Sequence, residues 1–162
     1  MLVLWLKLLY SFGVHYYPYA MFLQPCVSVS ELITRSPLLF WTIILVAGQD
    51  HARFATIYQQ VATEHKGLLS PIIHGAIQHL ETIHALLLLC LWPISQATHF
   101  SNPAWNYVGL VINAAMQLNC HSPLGPRSQT HGWKGLGDVA VCELSAQDLS
   151  QTWLGCFWVG TV

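Results

Sequence analysis

The sequence predicts an all-α fold, an irregular helical bundle. Apolar residues recur at spacings of three and four in several stretches, as on one face of a helix. Ser-Pro and Asn-Pro pairs stand where two of these stretches begin, and no segment sustains the apolar–polar alternation of a strand. A chain of 162 residues is too short for two comfortable domains. We therefore expect residues 1–162 to form a single partial domain of packed helices.

The first predicted helix begins at Ser36-Pro37, where serine can cap and proline suits the first position. It runs through LLFWTIILVAG to about Gly48 and is apolar almost all round, so we expect it to be buried on most sides. From Ala52 to Lys66 the apolar spacing becomes one-sided. This pattern predicts an amphipathic helix on the outside of the core.

Gly67 and Ser70-Pro71 predict a break after that helix. The stretch 72–92 follows, as one helix or as two with a break near His79, and Pro93 ends it. Its polar residues fall on one helical stripe: His74, Gln78 and Glu81. Such a stripe is either the solvated side of a helix or a possible effector surface.

Asn102-Pro103 repeats the helix-start signal and predicts a helix over 104–118. Residues 122–147, rich in Gly, Pro and Ser over much of their length, are predicted to form a loop. A last, Trp-rich helix is predicted from Asp148 to about Gly160, with an acidic residue at its positive end.

Charged residues are few. They make up 8% of the chain, against roughly 25% in ordinary soluble domains, while 54% of the residues are apolar. The surface therefore needs lipid, a partner, or the remainder of a larger protein to cover it. The six Lys and Arg residues are scattered, so we do not expect this chain to bind DNA by itself.

Neither a metal site nor a cofactor site is predicted. The five cysteines are odd in number and include no Cys-x2-Cys pair. In HLETIH, His79 and His84 are five residues apart, about 140° around a helix, whereas a zinc-binding helix needs two histidines four apart.

No catalytic residues are predicted, and we expect the chain not to be an enzyme. Cys90 lies six residues from His84 within LLLLCLW, where burial makes a thiol inert. The acidic side chains form no close pair for acid–base chemistry. A helical enzyme with a His/Glu pocket is a further alternative class. It would be supported only by an activity that a folded protein loses when Glu81 is replaced.

A small hydrophobic membrane-associated protein is the alternative class. It would use residues 1–23, 38–48 and 83–94 as its apolar segments. The apolar runs 38–48 and 85–94 are shorter than the about 20 residues that a membrane-spanning helix requires. Their length favours buried core helices, so we expect a membrane location less than a bundle core. The apolar N-terminus lacks preceding basic residues, which disfavours a signal peptide.

Five segments, in order, resemble the fungal-specific transcription factor domain, or middle homology region, of zinc-cluster transcription factors. They are HYYPYAMFL (15–23), SPLLFWTIILVAGQ (36–49), HLETIHALLLLCLWPI (79–94), AWNYVGLVINAAMQLNCH (104–121) and QTWLGCFWVGT (151–161). Three positions depart from the family pattern: Tyr17 replaces a common His, Ala20 a common Pro, and Gln151 a common Arg. The resemblance covers most of 15–121 and then 148–161.

This resemblance implies that the chain is a truncated fragment, an incomplete regulatory domain. The intact protein would be a nuclear, DNA-binding regulator of RNA polymerase II transcription, able to form a homodimer. Zinc would be held by the family's six-cysteine N-terminal cluster, which has no counterpart in these residues, so DNA would be contacted only through that cluster. The implied mechanism is inhibition or effector response through helix packing, with the missing remainder of the domain or other protein segments as partners.

The residues expected to matter under this resemblance are structural, forming the core and the family motif. They are Trp41, Leu86, Leu87, Leu88, Leu89, Trp92, Trp105, Tyr107, Gly109 and Trp153.

Overall fold

A computed structural model describes residues 2–24, 28–49, 51, 54–94, 103–122 and 145–161. These residues form seven α-helices and no strand, which confirms the all-α prediction. The helices are α1 (Leu2–His15), α2 (Val29–Arg35), α3 (Pro37–Gly48), α4 (Ala55–His74), α5 (Leu80–Leu91), α6 (Ala104–Gln117) and α7 (Ala146–Thr161), with a 3-10 turn at Tyr17–Tyr19.

Two apolar helices, α3 and α5, pack against each other at the centre of the bundle. Helices α1, α2 and α4 pack on α3, whereas α6 and α7 pack on α5 and on each other. The two groups of helices therefore share one core, since α3 and α5 are both buried along most of their length.

Helix α3 forms as predicted. The Ser36 hydroxyl accepts the backbone N–H of Leu39 at 3.3 Å, and Pro37 occupies the first helical position, where no N–H is needed. All its residues are buried except exposed Pro37 and half-buried Trp41. Burial on nearly every side follows from a helix without a polar face.

Helix α4 is longer than predicted. It continues through Gly67 and Pro71 to His74, so the break lies at 75–79 and the predicted break at 67–71 is wrong. Pro71 cannot donate the helical hydrogen bond to the carbonyl of Gly67. Both residues are exposed, so water can hydrate that carbonyl and the helix tolerates the proline.

Helix α5 realises the two-helix alternative for residues 72–92. His79 is extended at its N-terminal end, and the Trp92 N–H closes the last turn onto the Leu88 carbonyl at 2.8 Å before Pro93. The run from Ile83 to Leu89 is fully buried. A continuous apolar run of this length is typical of a helix enclosed by neighbours on all sides.

Helix α6 ends in a Schellman motif. Asn119 adopts a left-handed conformation with φ of 57°, its N–H bonds the Met116 carbonyl at 3.1 Å, and the Cys120 N–H bonds the Ala115 carbonyl at 2.9 Å. Cys120 is buried beneath the last turn. The polar side chains Asn106 and Asn113 are exposed.

The first and last helices frame the bundle. The apolar N-terminus, by its composition a candidate for a targeting or membrane segment, forms α1. The last helix, α7, begins two residues before the predicted start and comes close to the segment after the 3-10 turn, because Gly155 faces Phe22. The predicted loop 122–147 lies largely outside the described residues.

Within the described ranges, none of the helices combines the length and the apolar character that a bilayer crossing requires.

Candidate functional site

The three residues of the predicted effector surface do not share a helix. His74 is the last residue of α4, where its Nδ1–H donates to the Ser70 carbonyl at 2.7 Å, and Gln78 lies exposed in the connection to α5. Glu81 is in the first turn of α5, where its carboxylate pairs with Arg35 of α2 at 3.1 Å. The expectation of one helical stripe is therefore wrong, because the chain breaks between 75 and 79.

The residues predicted to be structural divide into two groups. Leu86, Leu87, Leu88 and Leu89 are buried, and Trp41, Trp92, Tyr107 and Trp153 are half-buried against the core. Trp105, by contrast, is 79% exposed, and a Cβ placed on Gly109 meets nothing within 4 Å apart from its chain neighbours and its own helix backbone. Both positions lie on the outer side of α6, so the core assignment is wrong for them.

Two histidine–threonine pairs lie inside the core, and sequence analysis missed both. His65 of α4 places Nε2 2.8 Å from the Thr42 hydroxyl of α3, and His84 of α5 places Nε2 2.8 Å from the Thr152 hydroxyl of α7. All four residues are buried. Each pair therefore joins two helices with a polar contact in otherwise apolar surroundings.

The threonines fix the tautomer of their histidines. Thr42 donates its proton to the Leu38 carbonyl and Thr152 donates to the Asp148 carbonyl, both at 2.8 Å. A hydroxyl has one proton, so in both pairs the histidine Nε2–H must be the donor. Nδ1 then carries the lone pair of a neutral ring.

Burial keeps both rings neutral. Desolvation lowers the pKa of His65 to about 4 and that of His84 to about 4, because the imidazolium would have to leave water. His84 is therefore uncharged at neutral pH, and its Nε2–H is engaged with Thr152.

The thiols beside α5 are unreactive for the same physical reason. Burial raises the pKa of Cys90 to about 12, that of Cys156 to about 12 and that of Cys120 to about 11. The Cys90 thiol donates weakly to the Ala104 carbonyl at 3.7 Å. A thiol that stays protonated is a poor nucleophile, although Cys90 itself is half-buried and lies outside the core cluster.

A cavity of about 400 Å³ lies between α1 and α4, both of which pack on α3. One stripe of α4 forms a wall, with contributions at spacings of three and four: Ile57, Gln60, Val61, Glu64, His65 and Leu68. Trp5 of α1 and Trp41 of α3 complete the lining, with ring centroids 5.4 Å apart in an edge-to-face pair. Glu64 is the charged residue of the lining.

One nitrogen of a lining residue lacks a partner. His65 Nδ1 is buried and has no hydrogen bond from any described residue. The tautomer set by Thr42 makes this atom an acceptor. A buried acceptor without a donor carries a desolvation cost, which the contact between Nε2 and Thr42 does not offset.

A second cavity, of about 340 Å³, lies where the end of α1 meets the ends of α5 and α7. Its lining is mostly aromatic: His15, Tyr16, Tyr19, Leu91, Trp92 and Trp158.

Two helices expose apolar stripes. On α1, four exposed side chains fall within about 80° of one another around the helix axis: Val3, Leu6, Tyr10 and Val14. On α7, three fall within about 100°: Leu154, Phe157 and Trp158. The opposite sides of both helices are packed into the core through residues such as Leu8 and Cys156.

Across the described parts of the chain, no group of three or more His, Cys, Asp or Glu side chains is arranged to hold a metal ion. The fold and these sites define an all-α packing module with buried polar cross-links and two exposed apolar helix faces.

Comparison with known proteins places this module beside transcription factors. The chain is 30% identical to the putative transcription factor SEF1 of Eremothecium gossypii, over an alignment of 145 residues that covers 77% of the chain. The protein of the same name from Kluyveromyces lactis is 26% identical over an alignment of 137 residues that covers 81% of the chain. The transcriptional regulatory protein SEF1 of Candida albicans is 29% identical over 100 residues, covering 58% of the chain.

These relatives are much longer, since the aligned part of the chain spans 13%, 11% and 10% of their respective lengths. Neither a protein-family profile nor a solved structure matches the chain. The similarity supports the broader part of the expectation from sequence, a relationship to transcription factors.

Proposed function

We propose that this chain is part of the regulatory domain of a fungal zinc-cluster transcription factor and takes part in regulating RNA polymerase II transcription in the nucleus. One observation carries the proposal: most of the chain aligns with a short segment of much longer proteins that are named as transcription factors. DNA would be contacted through a separate zinc-binding module, because Lys7, Arg35 and Lys66 lie on different helices and Arg35 is paired with acidic side chains.

The proposed role of the chain is to pack against other parts of the same protein. The α1 and α7 stripes together expose seven large apolar side chains, including Tyr10 at 76% and Phe157 at 67%. Contiguous exposed apolar surface of this kind marks interaction sites. A chain that covers 10 to 13% of its relatives leaves ample polypeptide to supply the partner surface.

Regulation would then act through these contacts and not through catalysis. A regulatory segment that packs on α1 or α7 can hold the activating and DNA-binding parts of the protein in one arrangement, and an effector that binds one arrangement better shifts the population. The other partner that would suit these apolar faces is a second copy of the intact protein, which would pack on them to form a homodimer.

A chimera tests the proposal. The aligned segment of the Eremothecium gossypii relative is replaced by this chain, the hybrid is fused to a heterologous DNA-binding module, and reporter transcription is measured in yeast nuclei. We expect reporter output close to that of the parent fusion. Replacing Leu154 and Phe157 by Glu should change the output several-fold, because each charge would have to be desolvated in the proposed contact.

The matched control is Asn106→Glu with Asn113→Glu, which adds the same two charges at exposed polar positions of α6. The proposal fails if the chimera behaves like a fusion that lacks the segment, or if the apolar-face variant and the control give the same output. Homodimer packing is distinguished by co-expressing two differently tagged chimeras and measuring whether Phe157→Glu reduces their co-purification.

A further inference from the structure

The cavity between α1 and α4 combines indole rings with a carboxylate. We infer that it binds a small aromatic molecule that carries an ammonium group, with Glu64 as the anionic partner and Trp5 and Trp41 as the aromatic wall. Its volume of about 400 Å³ lies within the range of small-molecule sites, roughly 300–1,000 Å³. Such sites are mostly apolar and contain a few polar groups that orient the ligand, which is the composition of this lining.

Glu64 lies in the middle of the α4 wall. Around the helix axis it is about 20° from Ile57, about 40° from Leu68 and about 60° from Val61, all of which line the cavity. His65 lies about 100° from Glu64, on the side where α4 contacts Thr42 of α3. Glu64 is also exposed, so its carboxylate is accessible to a ligand and stays partly hydrated.

The Glu64 carboxylate is available for a ligand cation. Within the described ranges it makes no ion pair, whereas Glu31 and Glu81 both pair with Arg35. A bound ammonium group would therefore not have to displace a described internal partner.

Positive charge is absent from the described lining of the cavity. Lys7 and Lys66 each lie two residues from a lining residue, Trp5 and Glu64, and so about 160° away around the helix. Burial lowers the pKa of His65 to about 4, so its ring is neutral near neutral pH. The cavity therefore favours a cation and disfavours an anion.

The two indoles select an aromatic ammonium over a simple one. The rings of Trp5 and Trp41 are nearly perpendicular, at 88°, with centroids 5.4 Å apart, and both side chains are half-buried. Tryptophan faces attract cations more strongly than those of tyrosine or phenylalanine, and indoles also pack well against flat rings. A ligand with both groups uses both kinds of contact.

This inference goes beyond the regulatory role proposed above, since binding is measured on the purified full chain without transcription. Tryptamine is the probe, and tryptophol has the same ring and chain length with a hydroxyl in place of the ammonium. We expect calorimetric titration to show saturable binding of tryptamine, roughly tenfold tighter than that of tryptophol. Indole-3-acetate should bind most weakly, and high salt should reduce the difference between tryptamine and tryptophol.

Glu64→Gln removes the anionic partner at an exposed position that the fold tolerates. It should weaken tryptamine binding roughly fivefold and leave tryptophol binding unchanged. Glu31→Gln removes the same charge from an exposed position of α2, outside the cavity, and should leave both affinities unchanged.

A second pair of variants supplies a cation from the chain itself. Leu68 lines the cavity one turn after Glu64 and is 37% exposed, so Leu68→Lys places an ammonium group beside the carboxylate. The variant should lose the preference for tryptamine over tryptophol. Ile73→Lys adds the same charge to α4 at a position that is 44% exposed and outside the lining, and should retain that preference.

Four results would overturn the inference. They are equal affinities of the unchanged chain for tryptamine and tryptophol, an undiminished tryptamine affinity in Glu64→Gln, a retained preference in Leu68→Lys, and no saturable tryptamine binding at millimolar concentration. An equal loss of tryptamine affinity in Glu31→Gln would also do so, because it would assign the effect to net charge.

Discussion

At the residue scale, the buried histidines are held by threonines whose own protons are already committed to helix carbonyls. Each Nε2–H therefore depends on one acceptor, the Thr42 or the Thr152 oxygen. A buried donor that loses its acceptor retains the full cost of desolvation. Most of the contribution of these pairs to stability is the avoidance of that cost.

Replacing Thr42 or Thr152 by Val keeps the side-chain shape and removes the acceptor. We expect each change to lower the free energy of unfolding by about 1–3 kcal/mol, measured as a lower urea midpoint. Thr63→Val is the control, because Thr63 makes the same helix back-bond, to the Gln59 carbonyl, on an exposed face without a histidine. A control loss as large as that of Thr42→Val would contradict a specific role of the pairs.

The same histidines predict how stability depends on pH. Their folded pKa values, about 4 each, lie below the ordinary value of 6.5, so the unfolded chain binds more protons between pH 6.5 and pH 4. The free energy of unfolding is therefore highest above pH 6.5 and falls as the pH decreases through this window. At pH 5 the loss is on the order of 2 kcal/mol per histidine.

Urea denaturation at neutral pH and at about pH 5 measures this loss, above the ordinary range of Asp and Glu titration. Ring nitrogen spectra of the folded chain provide the control, because His65 and His84 should both remain neutral at pH 5. Protonated rings in the folded state at that pH would contradict the prediction.

Residue-scale features differ in how visible they are in the sequence. Burial of Leu86 to Leu89 could be predicted, since a continuous apolar run has nowhere else to go. The histidine–threonine pairs could not, because their members are 23 and 68 residues apart and leave no local pattern. Trp105 shows the converse, since an aromatic side chain in an apolar helix can still face outward.

At the element scale, α7 comes so close to the segment after the 3-10 turn that only glycine fits at the contact. A Cβ on Gly155 would lie 2.9 Å from Phe22 Cδ1 and 3.1 Å from Phe22 Cβ. Phe22 is itself buried and stacks near the His84 ring, with centroids 5.7 Å apart. The ring has little room to move.

Gly155→Ala should therefore destabilise the fold by about 1–3 kcal/mol despite the better helix propensity of alanine. Gly109→Ala is the matched change on α6, where a Cβ meets nothing within 4 Å beyond its chain neighbours and its own helix backbone, and should stabilise by up to about 1 kcal/mol. Thermal unfolding of the two variants should shift in opposite directions. Shifts of the same sign would refute the close approach.

Helix prediction succeeded where a start signal and a strong apolar run coincide, as in α3. For α5 the apolar run predicted a helix, whereas the sequence leaves its start open between two alternatives. Prediction failed at the end of α4, because Gly67 and Pro71 are weak evidence for a break when both face solvent. The position of α1 could not be assigned from an apolar run alone, since targeting segments, membrane segments and core helices share that composition. The cavity was invisible because its walls come from three helices.

At the scale of the whole molecule, only 8% of the residues are charged, and part of the surface is therefore apolar. The exposed stripes of α1 and α7 contribute to this apolar surface. In the described part of the chain the basic residues Lys7, Arg35 and Lys66 lie on three different helices, and Arg35 pairs with Glu31 and Glu81. The chain therefore presents apolar faces where an isolated domain would present polar ones.

We expect the isolated chain to self-associate through these faces. The double variant Tyr10→Glu with Phe157→Glu should lower the sedimentation-average mass without lowering the free energy of unfolding, because both side chains are exposed. Two equal charges placed at Asn106 and Asn113, exposed polar positions of α6, provide the control. Equal loss of association in the control would assign the effect to net charge alone.

The pairing of His84 with Thr152 also determines how the leucine-rich α5 is aligned. Leucines are nearly interchangeable along such a helix. Apolar contacts alone would therefore let α5 shift along its axis by one turn with a small loss of packing energy. Only one axial position brings the imidazole of α5 to the hydroxyl of α7. A shift of α5 by one turn would leave the His84 Nε2–H buried among apolar side chains without an acceptor. This single polar contact therefore selects one register from several of similar packing energy.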